Sequence, residues 1–320
     1  MKIFLVVIIL FAVMHLYLKV ALKCNIIDKP NIRSSHDAIT IRGGGIIFPI
    51  SICIYSLFTG FYFPWFLIGL FAISFISFLD DLYSVSNRLR IVIHLISVAF
   101  LFIQSNLVAY PIWIIFAALI FVIGIINAYN FMDGINGITV LYSLSIFISF
   151  FVINKSILLF ISPDFFLPVF ASLFVFAFYN VRTKAKTFAG DVGSVSIAFI
   201  IAFLLIILMI KTQSVIWILL LLFYGIDTVI TIIFRLLRKE NIFNAHRSHY
   251  FQFLANEKRY PHVIISTGYA VLQLAFNGIL IYSYKNQNWY FLLIILFIIT
   301  IFYFTMRLRQ EGLHRLIKEY

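Results

Sequence analysis

The chain has 320 residues, of which 63% are hydrophobic and 11% charged, and its mean hydropathy is +1.07, far from the roughly 25% charged of an ordinary soluble domain. Its 24 Lys and Arg and 12 Asp and Glu cannot clothe a body of this size in water, so a water-soluble globular fold is excluded and the apolar excess must face lipid. The two cysteines, Cys24 and Cys53, have no second thiol or histidine pair at zinc-like spacing, which excludes a disulfide framework and a structural zinc site.

Cutting the chain at its polar breaks predicts an all-α polytopic membrane protein with about eleven spans, ten at the least, each near the length needed to cross roughly 30 Å of hydrocarbon. They fall near residues 1–22, 44–60, 62–79, 91–108, 110–127, 137–153, 163–180, 194–210, 213–235, 262–283 and 288–306. The first lacks a small-x-small cleavage site and ends in Lys19 and Lys23, so it reads as a retained span and not as a signal peptide. No internal repeat or separate soluble domain interrupts the series. The chain is therefore read as one transmembrane domain, 1–320, with polar loops near 23–43, 80–90, 127–137, 181–193 and 236–261.

Lysine and arginine collect on the cytoplasmic side of membrane proteins. Nineteen of the 24 fall in one alternate set of polar segments and four in the other, with Lys19 inside the first span. This asymmetry predicts an outside N-terminus and a cytoplasmic C-terminus. The positive-inside rule makes no demand on acids, yet eleven of the twelve share the basic side and only Asp164 does not. Chemistry is expected there.

In chain order, the first such element is Arg42-Gly43-Gly44-Gly45, readable either as an anion-binding turn or as small residues for close helix packing. Asp80-Asp81 ends the third apolar stretch. Paired carboxylates at a membrane boundary need a metal, a proton or cations, and Arg88 and Arg90 follow closely, so a metal or catalytic role stands beside a solvated helix end. Asn127-x-x-Asn130-x-x-Asp133-Gly134-x-Asn136-Gly137 puts an amide or carboxylate at every third residue, one drifting stripe if helical. Oxygen donors of this kind suit Mg²⁺, which keeps waters and binds through one or two carboxylates plus substrate phosphates; helix capping is the bland alternative.

The segment Asn180 to Ser194 sets Arg182, Lys184 and Lys186 before Gly190-Asp191-x-Gly193-Ser194. A helix start there offers N–H groups to an anion, and Asp191 could hold a bridging cation, or simply cap the helix. Farther on, His246-Arg247-Ser-His249 would place both histidines on one helical face about an arginine, suited to gripping phosphate. A surface stretch touching anionic lipid is the competing account. Asp227 lies within a span, a functional candidate by default, or else the ion-pair partner of Arg235. His15 and His94 read as packing histidines.

Taken in this order, Asp80-Asp81, Asn127-x-x-Asn130-x-x-Asp133-Gly, Phe188-x-Gly-Asp191-x-Gly-Ser194 and His246-Arg-x-His249 resemble the polyprenyl-phosphate N-acetylhexosamine-1-phosphate transferases, glycosyltransferase family 4. Lys29-Pro-Asn-x-Arg33-Ser-Ser-His36 to Arg42-Gly-Gly-Gly45 also looks like the family's opening. The His-Arg-Ser-His-Tyr-x-Gln ending resembles the bacterial branch that starts O-antigen or capsule-type glycans, and not the three-histidine ending of the phospho-N-acetylmuramoyl-pentapeptide transferases of peptidoglycan synthesis, the alternative reading. Two departures stand out: Asn136 where the family commonly has Asp, and Lys184-Ala185 in place of Pro-Ala.

The resemblance implies a UDP-activated N-acetylated amino sugar such as UDP-GlcNAc as donor, a polyprenyl phosphate such as undecaprenyl phosphate as acceptor, Mg²⁺ as cofactor (Mn²⁺ would suit the same donors), and a multi-pass place in the inner (plasma) membrane with the site facing the cytoplasm. On this reading Asn130 and Asp191 hold the metal, Asp133 supports it, and Asp80 and Asp81 assist the acceptor phosphate. Lys29, Arg42, Asn127, Asn180, Lys186, His246, Arg247 and His249 bind substrate, the last three gripping the nucleotide-sugar diphosphate. Anionic lipid and phosphate account for the net charge of +12 without nucleic acid, and a homodimer is compatible with it. A secondary transporter should carry its carboxylates near the bilayer midplane and show a repeat, neither of which the sequence has.

Overall fold

The computed structural model describes residues 2–28, 39–83, 85–241 and 247–317; Lys29 and His246 lie outside them. The fold is all-helical apart from two short strands. In chain order it comprises α1 (Lys2–Lys23), β1 (Ile27–Asp28), β2 (Thr40–Ile41), α2 (Ile47–Thr59), α3 (Pro64–Tyr83), α4 (Asn87–Gln104), α5 (Ile112–Met132), α6 (Ile138–Ser156), α7 (Phe166–Asn180), α8 (Gly190–Thr212), α9 (Leu222–Leu237), α10 (Tyr250–Asn256), α11 (His262–Lys285), α12 (Trp289–Glu311) and α13 (Leu313–Ile317).

Among the described residues, ten helical segments are long and apolar enough to cross a membrane. The second expected span is the exception. It is a 3-10 turn at Gly44–Ile46 followed by the 13-residue α2, which at 1.5 Å per residue reaches about 20 Å, short of the hydrocarbon thickness.

The helix α8 is the axis of the molecule. It carries the highest mean hydropathy of any span, and side chains from Val192 to Ile206 are buried against α2, α3, α5 and α6. A helix apolar on all faces belongs in such a centre. The peripheral α1 and α12 expose residues such as Phe4, Leu16, Phe297 and Phe302, as lipid-facing surfaces should.

One span is broken. Val215–Leu221 runs as 3-10 helix before α9 begins, and the amides freed at the junction find side chains: Phe223 N donates to Gln273 Oε1 at 3.0 Å and Tyr224 N to Tyr142 Oη at 3.2 Å. Inside lipid no water could serve instead.

Several helices overrun the boundaries read from hydropathy. Asp80 and Asp81 belong to the last turns of α3, Asn127 and Asn130 to α5, and Asp191 to the first turn of α8. The expected loops near 80–90, 127–137 and 181–193 are correspondingly shorter. Polar residues at a helix end are held by their own backbone ladder, which an apolar count does not register.

Candidate active site

The first loop is stitched to the segment before α8. Strand β1 pairs antiparallel with β2, Ile27 opposite Ile41, and Ile41 bridges in parallel to Thr187. Phe188 N donates to Ile41 O at 2.8 Å, and the amides of Gly44 and Gly45 donate to Phe188 O and Ala189 O. Those two N–H groups are therefore spent on backbone, and Gly44 and Gly45 serve close packing. A Cβ on Gly45 would lie 2.2 Å from Gly193 Cα. Tyr17 Oη donates to Arg42 O at 2.6 Å, and the Arg42 side chain reaches inward.

Asp80 and Asp81 diverge because neighbours on a helix project about 100° apart. Asp81 turns to the start of α8, accepting Asp191 N on Oδ1 at 3.0 Å and Val192 N on Oδ2 at 3.1 Å. Arg42 Nε lies 2.7 Å from the same Oδ1, and the Asp81 side chain is 0% exposed. It thus caps a helix from another part of the chain, where free amides and the helix dipole favour an anion. The amides expected to face a substrate anion are filled by Asp81. Gly190, at φ 71°, has no room for a Cβ, which would fall 2.5 Å from Asp81 Oδ2. Asp80 accepts Val85 N at 2.7 Å and meets Arg90 Nη1 at 2.6 Å.

Asp191 stands between the two arginines, 3.4 Å from Arg42 Nη2 and 3.8 Å from Arg90 Nη1, with its side chain 19% exposed. On the other side of the same turn, Ser194 Oγ donates to Asn130 Oδ1 at 3.3 Å. Asp133, just past α5, accepts a short hydrogen bond from Thr139 Oγ1. Burial pushes the Asp133 carboxyl up to about 7 and the Asp191 charge adds to this, against the Thr139 hydrogen bond and Arg42. The turns around 80, 130 and 191 therefore converge.

Four carboxylates, Asp80, Asp81, Asp133 and Asp191, share two guanidiniums, Arg42 and Arg90. Ionised together they leave an excess of negative charge, which a divalent cation would offset. Among the described residues no three Asp, Glu, His or Cys side chains close around one point, so a ready-made cage is absent there. What the residues offer is an open oxygen set, Asp191 and Asn130 with Asp133 behind, of the kind Mg²⁺ completes with water and phosphate.

Other expected ligands have structural employment. Asn180, buried, accepts Gly137 N at 2.8 Å and donates to Thr187 O at 2.9 Å, so it clamps two loops together. Asn136 Nδ2 donates to Arg182 O and Thr183 O at 2.9 and 3.2 Å. Asn127, Lys184 and Lys186 are exposed.

The expected helical face shared by His246 and His249 is not formed at His249, whose backbone is extended (φ −69°, ψ 147°) as the N-cap of α10. Its ring meets Asp227 Oδ1 through Nδ1 at 3.1 Å and lies 6.3 Å from the Phe131 ring, beside Asn130. Arg247 is half-buried two residues earlier. Asp227 does not pair with Arg235, which bonds Glu240 Oε2 at 2.8 Å and Asn241 O at 2.7 Å. Eight residues of helix separate the two by about 12 Å along the axis.

Sequence reasoning missed Arg307. Almost wholly buried, it joins Glu311, Thr231 Oγ1 and Ser248 O at 2.6, 2.9 and 2.8 Å. Its i,i+4 spacing to Glu311 was the available signal; the partners on α9 and the histidine segment were beyond local reading.

The family model described as Glycosyl transferase family 4 matches residues 63–209. A Bacillus subtilis (strain 168) protein named "Probable undecaprenyl-phosphate N-acetylglucosaminyl 1-phosphate transferase" is 28% identical over 261 residues, covering 72% of this chain and 70% of that protein. Proteins named "Undecaprenyl-phosphate alpha-N-acetylglucosaminyl 1-phosphate transferase" from Salmonella typhi and Yersinia pestis are 28% and 30% identical, covering 63% and 61% of this chain. The matches span 61% and 59% of those two relatives.

Proposed function

From the match to glycosyl transferase family 4 and the likeness to the Bacillus subtilis relative, together with the converging carboxylates, we propose that the chain is an enzyme of that family transferring an N-acetylated sugar 1-phosphate, such as that of UDP-GlcNAc, to undecaprenyl phosphate. A lipid phosphate oxygen bonds to the sugar-bearing phosphorus, the bond from that phosphorus to the bridging oxygen breaks, and UMP leaves with that oxygen. The product, undecaprenyl diphosphate sugar, is the first membrane intermediate of a cell-surface glycan of the O-antigen or capsule type.

The observation that carries this reading is the meeting of Asp80, Asp81, Asn130, Asp133 and Asp191 about two arginines. Two anions must be brought together in this reaction, and catalysis is a matter of position and charge. Asp191 and Asn130 would hold Mg²⁺, which when bound supplies neutralisation of the phosphate oxygens and of the leaving UMP. Arg42 and Arg90 contribute fixed positive charge to the same end. Asp81 locks Arg42 to the head of α8, and so sets where that charge stands. Asp80 is the carboxylate better placed to meet the acceptor phosphate, since Asp81 is fully engaged. Arg247 and His249 grip the diphosphate of the donor. The site faces the cytoplasm of the plasma (inner) membrane, as the lysine and arginine asymmetry supports.

The test is to incubate membranes carrying the protein with undecaprenyl phosphate, Mg²⁺ and a panel of UDP-sugars, and to identify lipid products by mass. A new undecaprenyl diphosphate amino sugar, formed with UMP in equal amount, is the expected result. Absence of such a lipid with every sugar nucleotide in the panel would overturn the reading.

A further inference from the structure

Asp227 lies within the membrane-spanning part of α9, fully buried. A carboxyl group at such a place persists only if its oxygens are saturated with hydrogen-bond partners. They are: Oδ1 receives Tyr250 N at 3.2 Å, Thr231 Oγ1 at 3.2 Å and His249 Nδ1 at 3.1 Å, and Oδ2 receives Tyr269 Oη at 2.6 Å. A backbone amide can only donate, so Oδ1 is an acceptor. Thr231 Oγ1 takes a hydrogen from Arg307 Nη1, which directs its own proton to Asp227. With the carboxylate ionised, the remaining group on Oδ1, His249 Nδ1, carries a hydrogen as well.

One carboxyl group thus grips both the ring of residue 249 and the backbone of residue 250. The same turn is braced twice more, by Arg307 Nη2 on Ser248 O at 2.8 Å and by Gln252 Oε1 on His249 N at 3.4 Å. The turn carries Arg247 and abuts the end of α5, with the His249 and Phe131 rings 6.3 Å apart and Phe251 against Gly134.

We propose that Asp227 is a positioning residue for the sugar-nucleotide donor: it fixes the Nδ1–H tautomer of His249 and, through the 248–250 turn, the place of Arg247. Neither the ring nor the arginine then has to be ordered when the diphosphate arrives. The donor role rests on the function proposed above; the tautomer does not.

Two measurements separate them. In protein labelled with ¹⁵N-histidine, the His249 signal is identified by its loss in His249→Gln. A hydrogen bonded to Nδ1 is expected, and a ring protonated on Nε2 alone would overturn the proposal whatever the activity. In kinetics, Asp227→Asn should raise the KM for UDP-GlcNAc by about tenfold or more, the scale found when a group that orients a metal-binding histidine is removed, while the KM for undecaprenyl phosphate stays within about twofold. Tyr269→Phe, which keeps the carboxylate charge, should move neither KM. Equal rises in both KM values, or the same donor defect in Tyr269→Phe at matched thermal stability, would mean that Asp227 only holds the fold. A protein with the Nδ1–H signal and no transfer from any UDP-sugar would overturn the proposed function and leave the Asp227–His249 tie supported.

Discussion

The carboxylate of Asp81 accepts a hydrogen bond from the backbone amide of Asp191 at 3.0 Å, across 110 residues of sequence. The end of α3 is thereby made the cap of α8, and one member of the paired aspartates becomes scaffold while its neighbour Asp80 stays with Arg90.

Removing that cap should cost folding stability. Asp81→Ala leaves Arg42 without its buried partner and two helix amides unpaired, a loss of about 3–5 kcal/mol by comparison with other broken buried pairs. Thermal unfolding in detergent should show a clear drop, and an unchanged midpoint would remove the capping role.

Asp191→Asn should behave differently. The side chain contacts its arginines only at 3.4 and 3.8 Å, so the fold should survive in detergent while transfer falls by about 10²–10³-fold or more, the scale of losing one charge-stabilising group. A radiolabelled UDP-sugar assay measures this, and full activity would refute the metal assignment.

Asp133 makes the site pH-dependent. Its carboxyl is raised from 3.8 to about 7, so between those values the folded protein holds a proton that the unfolded chain has released. That contribution to stability is complete below 3.8 and is lost as pH rises through about 7. Cation binding runs the other way, since the ionised carboxylate must be freed first. Stabilisation by added Mg²⁺ in thermal unfolding should therefore grow from about pH 6 to about pH 8, and Asp133→Asn should flatten the trend.

Asn136→Asp tests a departure from the family pattern. The amide donates to Arg182 O and Thr183 O, and a carboxylate would set oxygen against oxygen there. A loss of about 1–3 kcal/mol is expected, read as a lower unfolding temperature, with the KM for the donor little changed if residue 136 acts only through the loop.

The spans were legible because each is a long apolar run, and the convergence of Asp80, Asn130 and Asp191 was legible because oxygen-bearing residues recur at one set of helix ends. The division of labour within the site was not. Asp80 and Asp81 look alike in sequence; only the direction of each on α3, and the arrival of α8 beside it, separates cap from candidate ligand. Asn180 and Asn136 look like ligands because polar side chains at a membrane boundary attract that reading, yet each also ties neighbouring loops together through backbone groups. Asp227 meets His249, 22 residues away, a contact that no local spacing in the sequence reveals. Arg307 was obscured for the same reason.

Where Gly45 meets Gly193, main chain rests on main chain with no side chain between. Such a joint has no rotamers through which to yield, so the loop bearing Arg42 and the turn bearing Asp191 travel as one piece. Swelling or thinning of the surrounding lipid can tilt the outer helices, but the backbones that carry Arg42 and Asp191 are referred to this bare crossing and should keep their spacing.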